Sequence, residues 1–396
     1  MRIPTLLIFV LIFFQLFIDT YIYVTASRRC KNRTWPKLQL YSAVILFIYL
    51  CIILMLPKGE YSNSGLVAIM WMLFSYLTIY LPKFIFVTVD LIASIPCLFH
   101  RHRFRMVSAT GGCIAIGLFL LMWWGALINR YRLDINEITL EVPGLPESFN
   151  GFRIVQFSDF HSGTYGTSST FTQKLVDKIN SLNADAVFFT GDIVNRRSDE
   201  LLPFVNDLSK ITSHHGTYSI LGNHDYGDYS NWPSTTAKRQ NMELMYDLQN
   251  KMGWKLLLNE TAWIHRGNDS IAVIGVENWG DPPFPCYGNL PEAYTNLSDR
   301  NVKILLTHNP FHWEQEIAQN DSANIALTLS GHTHAMQMSV GHLSPAALRY
   351  REWGGLYHDS NGSHPLYVNI GIGTVGIPMR LGATPEITVI TLVAPH

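Results

Sequence analysis

Four long apolar runs fill the first 130 residues, and they constrain the architecture more than any other feature of the chain. "IPTLLIFVLIFFQLFIDTYIYV" (3–24) and "LQLYSAVILFIYLCIILMLP" (38–57) are each long enough to cross a bilayer, which takes roughly 20 apolar residues. "GLVAIMWMLFSYLTIYLPKFIFVTVDLIASIPCLF" (65–99) exceeds one crossing and contains Pro82, Lys83 and Asp90; "MVSATGGCIAIGLFLLMWWGALI" (106–128) is the fourth. A cleaved leader is a poor account of the first run, because no convincing small-residue cleavage site follows it and more spans come after. The expectation is about four helices, with 65–99 as one long helix kinked at Pro82; two short crossings there would change the topology. Lys83 and Asp90 lie two turns apart and share a face. Lys83 is expected to snorkel near the kink and Asp90 to pair with a neighbouring helix. Composition agrees, with 15% charged residues against about 25% in soluble domains.

Loop charges give an orientation. Arg28, Arg29, Lys31, Arg33 and Lys37 crowd the first loop, and Arg101, Arg103 and Arg105 the third. The second loop has only Lys58, and the outer ends have Arg2, Arg130 and Arg132. Positive loops stay in the cytoplasm, so four spans leave the C-terminal part outside it. The formal net charge of −1 exerts no pull on nucleic acid, and no nucleic-acid partner is expected. Four of the five cysteines precede residue 114 and the fifth is Cys286, which rules out a disulfide framework in the second part.

From about residue 131 the pattern alternates. "ITLEV", "FRIVQFSDFH", "ADAVFFTGDIV", "GTYSILGNHD", "WKLLLN", "TAWIHR", "SIAVIGVENW", "NVKILLTHNP", "ANIALTLSGHTH", "PLYVNIG" and "EITVITLV" read as strands. Residues 168–183 have helical spacing, with Phe171, Leu175, Ile179 and Leu182 on one face. "LLPFVNDLSKIT", 238–252 and "FHWEQEIAQ" also read as helices. The expected class is α/β or α+β, with one large sheet or two packed sheets. The division falls as 1–130, a transmembrane helical region, and 131–396, a second domain.

Many of these strands end in the same chemistry. Asp159 and His161 close "VQFSDFH", Asp192 closes "VFFTGD", and Asn223, His224 and Asp225 close "SILGNHD". His308 closes "ILLTH", and His332 and His334 close "LTLSGHTH". Each alone reads as a turn or a cap. Together, at the carboxyl ends of strands where sites gather, they form a constellation. Asp and His without a thiolate suit a divalent ion such as Zn, Fe or Mn. There are ligands enough for two ions. A carboxylate bridging ions roughly 3.5–4 Å apart serves in-line displacement at phosphorus, with hydroxide available near neutral pH. His224, beside Asn223, is placed to supply a proton to the leaving oxygen. His214 and His215 match no strand end and read as surface. On an extended segment, His332 and His334 would face one rim with Thr333 turned away.

This ordered set resembles the calcineurin-like metallophosphoesterase superfamily, over roughly residues 136–394. Its five blocks correspond to "DFH" (159–161), "GDIVN" (191–195), "GNHD" (222–225), "TH" (307–308) and "GHTH" (331–334). The membrane helices and the ending "NIGIGTVGIPMRLGATPEITVITL" look like its membrane-anchored bacterial branch. The resemblance implies two packed β-sheets flanked by helices, with the metals at one edge. It implies that one ion takes Asp159, His161 and His334, the other Asn223, His308 and His332, and that Asp192 bridges them. His224 would be the non-ligand histidine at the scissile phosphate. Two departures stand out. Asn195 occupies the place of an Asp that in relatives hydrogen-bonds the catalytic His; its amide is expected to orient His224 less strongly, with Asp225 compensating. Ala335-Met336-Gln337 replaces the branch's Gly-Gly-Gln. Arg380 matches a shared position, with contact to a substrate phosphate and a structural role both open. The loop 277–289 is expected to pack rigidly on the domain, with lining the site as the alternative.

The functional expectation is a membrane-anchored, dinuclear metal-dependent phosphoesterase acting on a phosphorylated small molecule or lipid, a phosphodiester or lipid-linked phosphate above all. The expected location is the bacterial inner membrane with the catalytic domain extracytoplasmic. A cytoplasm-facing pyrophosphohydrolase of a UDP-linked diacylglucosamine precursor of lipid A and a non-catalytic metal-binding regulatory protein are the alternatives.

Overall fold

A computed structural model describes residues 5–56, 63–282, 284–294, 297–298, 300–320 and 324–395; Arg2 and Lys58 lie outside them. The chain forms two compact units, Met1–Ile128 with Gly376–Met379, and Asn129–Val375 with Arg380–His396.

The first unit holds α1 (Thr5–Arg29), α2 (Thr34–Met55), α3 (Asn63–Ser94) and α4 (Arg105–Leu127). All four are long and apolar enough to span a membrane. As expected, α3 is one continuous helix with Pro82 inside it. Phe13, Ile45 and Leu120 are exposed, whereas Ile18, Leu50, Phe74, Tyr80 and Val87 are buried. An apolar exterior is what lipid-facing helices require.

Buried charges join these helices. Asp90 of α3 is fully buried and accepts from Arg29 Nη1 at 2.8 Å, Arg103 Nη2 at 3.0 Å and the Tyr21 hydroxyl at 2.7 Å, with the Ser108 hydroxyl also bonded to it. The neighbour-helix pairing expected for Asp90 is therefore present. The expectation for Lys83 is corrected. It does not snorkel but donates to Asp19 Oδ1 at 2.8 Å, and the Tyr80 hydroxyl donates to Asp19 Oδ2 at 2.7 Å. The reason is the acid in the middle of the first apolar run, which without a cation would be a costly buried charge.

The second unit contains β1 (Asp134–Glu141), β2 (Phe152–Phe157), α5 (Thr170–Ser181), β3 (Ala186–Phe189), α6 (Val205–Leu208), β4 (Thr217–Ser219), α7 (Thr235–Lys251) and β5 (Trp254–Leu256). It continues with β6 (Glu260–Arg266), β7 (Asp269–Gly275), α8 (Leu290–Ala293), β8 (Lys303–Leu306), β9 (Leu327–Ser330), β10 (Gly355–Tyr357), β11 (Leu366–Val368) and β12 (Glu386–Val393). Two six-stranded sheets result, ordered β1-β12-β2-β3-β4-β5 and β10-β11-β9-β8-β7-β6. Strands β2 to β5 run parallel, as do β7, β8, β9 and β11. Their short, mostly apolar stretches, such as "AVFF" in β3 and "KILL" in β8, are buried throughout, as strands covered on both faces must be.

Side chains of both sheets interleave in one core, among them Ile154, Phe188 and Ile390 against Val273, Ile304 and Leu329. On the outer face of the first sheet, Phe171, Leu175 and Ile179 of α5 and Met245 and Leu248 of α7 complete a second core. Three readings are revised. "LLPFVNDLSKIT" yields only the single turn α6, "FHWEQEIAQ" yields a π-helical turn at Trp313–Ile317, and β10 has no counterpart in the sequence reading. His214 is exposed, and His215 is half-buried against the Phe152 ring.

Candidate metal centre

Each chemistry-bearing segment leaves the end of a parallel strand: Asp159 and His161 follow β2, Asp192 follows β3, Asn223 and His224 follow β4, His308 follows β8, and His332 and His334 follow β9. These ends meet at one rim. Ligand-type atoms of Asp159, His161 and His334 all lie within 4.8 Å of one another, and so do those of Asp192, His308 and His332. Asp192 Oδ2 stands 3.1 Å from His308 Nε2 and 3.6 Å from His161 Nε2, facing both groups. Asn223 stands beside the second group, its Oδ1 3.2 Å from His308 Nε2 while its amide donates to the Tyr229 hydroxyl at 2.8 Å.

The backbone is bent to achieve this. Asp159, Asp192, His161, His332 and His334 have φ of 55°, 61°, 48°, 74° and 51°, a region where a side chain costs about 1–3 kcal/mol and which gathers at functional sites. The extended segment expected for 332–334 is therefore corrected. The two histidines converge through left-handed turns rather than by alternation along a strand. The left-handed run goes on through Ala335, Met336 and Gln337, with φ of 50°, 45° and 60°, so Ala335 and Met336 adopt a conformation that suits glycine. Gly222 has no alternative, since a Cβ there would collide with the Asp192 carboxylate.

The donor set fits divalent cations. Ring nitrogens face one another, His161 Nε2 and His334 Nε2 at 3.0 Å and His332 Nδ1 and His308 Nε2 at 3.2 Å. Opposed ring nitrogens can share one N–H···N hydrogen bond, and with that proton removed they present two acceptors to a cation. Burial opposes ionising Asp159 and Asp192, yet the histidines beside them hold both carboxyls below their usual range. Burial, reinforced by the neighbouring His224, pushes His161 down; burial and the charge on His308 push His332 down to about 3. His308 alone goes up, to about 9: burial works against it, but Asp192 and Asp159 outweigh burial. Ionised carboxylates beside the neutral His161 and His332 are forms that ligate metal, and His308 would give up its proton to do so. His308 also presents Nδ1 to the Thr190 carbonyl at 2.7 Å, the kind of outer contact that would fix the ring if it held a metal.

Two sequence expectations turn out differently in geometry, while Arg380, left open, takes its structural alternative and the loop 277–289 packs as expected. Asn195 does not use its amide on His224. The amide donates to Thr164 Oγ1 at 3.1 Å, and the Asn195 backbone carbonyl lies 2.6 Å from His224 Nδ1. Asp225 does not compensate. It is fully buried and accepts from the backbone N–H of Asp192, Ile193, Val194 and Gly222 at 2.8–3.2 Å, clamping two loops together. Arg380 is fully buried behind His334, not open to substrate. It donates to the carbonyls of Gly373, Ala383 and Ile370, with Nη2 3.1 Å from His334 Nδ1. The loop 277–289 packs on the domain through Tyr287, stacked on Tyr226 at 4.0 Å.

The sequence reading missed Glu200, Tyr229 and Tyr350. Glu200 accepts from the Asn195 N–H at 2.6 Å and so anchors the turn that holds His224. Tyr229 stacks on the His224 ring at 4.4 Å, and the Tyr350 hydroxyl lies 3.0 Å from His332 Nε2. No strand end or motif marks these three, so no sequence pattern could have singled them out.

Comparison with known proteins agrees with this geometry. Residues 152–336 match the calcineurin-like phosphoesterase family, and residues 1–130 match the transmembrane domain of a probable calcineurin-like phosphoesterase. A transmembrane protein with metallophosphoesterase domain from Danio rerio is 33% identical over 65% of this chain and 56% of its own length. The chain thus spans just over half of that relative. The uncharacterized metallophosphoesterase YkuE of Bacillus subtilis is 30% identical over 67% of this chain and 87% of its own. An uncharacterized metallophosphoesterase of Campylobacter jejuni is 24% identical over 88% and 87%. The chain belongs to the calcineurin-like phosphoesterase family, a family of metal-dependent hydrolases, and is an integral membrane member of it.

Proposed function

We propose that this chain is a membrane-anchored dinuclear phosphoesterase, with residues 1–130 as its membrane region and 131–396 as its catalytic domain. In this reading Asp159, His161 and His334 hold one ion and Asn223, His308 and His332 the other. The observation that carries it is Asp192, whose Oδ2 faces histidines of both groups. The ions, Mn, Zn or Fe, would supply charge neutralisation at phosphorus and a nucleophile drawn from water near neutral pH.

The remaining work falls to the chain. His224 is half-exposed, beside the centre but outside both ligand groups. His224 Nδ1–H donates to the Asn195 carbonyl, which leaves Nε2 as the site where a proton would be held for the leaving oxygen. Tyr229, stacked on the ring, limits its rotation. Asp225 and Arg380 keep the ligand loops in place and touch no substrate. Phosphodiesters and lipid-linked phosphates are the substrate class, because the catalytic domain is tethered to a bilayer by its own chain. The loop charges support an extracytoplasmic domain.

The test is hydrolysis of bis(p-nitrophenyl) phosphate by the full chain after metal stripping and after return of Mn or Zn. Activity that returns with metal supports the reading. Activity indifferent to stripping, or absent with every metal, sinks it. A reporter fused to the C-terminus reads the side of the membrane directly.

A further inference from the structure

Among the described residues of the catalytic unit, the three most exposed large apolar side chains, Val340, Leu343 and Leu348, fall in one segment with two exposed methionines. Met336, Met338, Val340, Leu343 and Leu348 are 42%, 39%, 81%, 76% and 92% exposed. Water-facing surfaces carry such residues singly; a cluster marks an interaction site. The segment is also pinned. The Ser339 N–H donates to the Leu381 carbonyl at 2.8 Å, and the Ser344 hydroxyl donates to the Ala335 carbonyl at 2.7 Å. The Gln337 amide exchanges hydrogen bonds with the Val375 backbone at 2.8 and 3.1 Å, and Val340 bridges to Leu343 around a tight turn. A fixed backbone therefore holds apolar groups outward.

The segment leaves the metal centre at His334 and returns to it at Tyr350, whose hydroxyl touches His332. From Ala335 to Arg351 there is no Asp or Glu, whereas His342, Arg349 and Arg351 are present, Arg349 being paired with Asp281. The outward groups are aliphatic or thioether, unlike the Trp, Tyr and Arg on which protein partners draw. The segment itself carries no carboxylate, and those that approach it pair with its arginines, Asp281 with Arg349 and Glu314 with Arg351 at 3.9 Å, so it offers anionic headgroups no repelling charge of its own. The chain's own four membrane helices keep a bilayer within reach.

We propose that residues 336–348 form a lip that inserts its apolar side chains into a lipid bilayer and holds the edge of the metal centre at the headgroup level. This rests on the chain being membrane-integral and not on its turnover.

The experiment places p-benzoylphenylalanine at Leu348, Leu343 or Leu202 in the full chain, reconstituted in vesicles of phosphatidylcholine and phosphatidylglycerol. All three positions are exposed, so folding is spared; Leu202 sits in the acid-rich segment with Asp199, Glu200 and Asp207. After irradiation, mass spectrometry is expected to find acyl-chain adducts at Leu348 and Leu343 and only background at Leu202. No lipid adduct at the lip, an adduct to protein in its place, or equal adducts at Leu202 would overturn the proposal. Because no catalysis is read, an inactive chain that still gives lip adducts would refute the phosphoesterase reading and leave the lip standing.

Discussion

In the membrane unit, buried Asp90 meets two guanidinium groups, a phenol and a hydroxyl, and Asp19 meets Lys83. In the catalytic unit, Asp159 and Asp192 are as deeply buried, but they face histidine ring nitrogens that also oppose one another. The first arrangement supplies a permanent counter-charge and ties helices together. The second pairs its carboxylates with histidines, which can give up a proton to a cation, and a strained backbone points them inward. One set of buried charges serves assembly; the other is built to receive cations. The difference can be tested residue by residue.

The largest effect should come from removing the shared carboxylate. Asp192→Asn is expected to lower hydrolysis of bis(p-nitrophenyl) phosphate on the order of 10⁴-fold, because in the proposed reading both cations would lose a charge at the reacting centre. Metal content by mass spectrometry should fall with it. Full activity in Asp192→Asn would end the bridging assignment.

Asp90→Asn probes the other side of the comparison. It leaves Arg29 and Arg103 without their buried counter-charge, and breaking such a pair costs about 3–5 kcal/mol. The full chain in detergent should unfold at lower temperature, while activity per folded molecule stays at the wild-type level. If activity fell with stability unchanged, Asp90 would belong to function and the contrast between the units would fail.

His224→Ala separates proton supply from metal holding within the centre. The expected loss is about 10²–10³-fold, with metal content unchanged. A parallel loss of metal would make His224 a ligand, against the geometry.

How far the sequence disclosed all this depended on what each residue does. The residues following β2, β3, β4, β8 and β9 were legible because a parallel sheet delivers its strand ends to one edge, whatever the loops do. The membrane helices were legible from length and apolarity alone. Side-chain direction in the left-handed turns was not. Whether Asn195 turns its amide or its carbonyl to His224, and whether Arg380 points in or out, depends on loop packing that no periodicity encodes. Asp19 was hidden for another reason: one acid does not disturb the apolar character of a 22-residue run, and its partner Lys83 is 64 positions away in sequence.

The smallest expected effect is the most discriminating. Sequence reasoning makes Asn195 a weakened version of a carboxylate that tunes His224, so that Asn195→Asp would move the pH–rate profile. The structure gives that task to the Asn195 carbonyl, with the side chain turned to Thr164. Asn195→Asp should therefore change kcat by no more than about two-fold, in the range of substitutions that touch no special feature, and leave the profile in place. Glu200→Ala, which frees the Asn195 N–H, should by contrast lower kcat about tenfold, the usual cost of losing an outer contact. Glu200 also carries its own pH signature. Burial pushes its carboxyl up from 4.5 to about 7, so the folded chain keeps a proton that the unfolded chain releases. The stability this contributes is full below the unfolded value near 4.5 and is lost as the pH rises through about 7. Thermal unfolding of Glu200→Gln should lack that slope while kcat remains near wild type, since an amide oxygen still accepts from Asn195. A profile moved by Asn195→Asp and untouched by Glu200→Ala would return the positioning of His224 to the side chain.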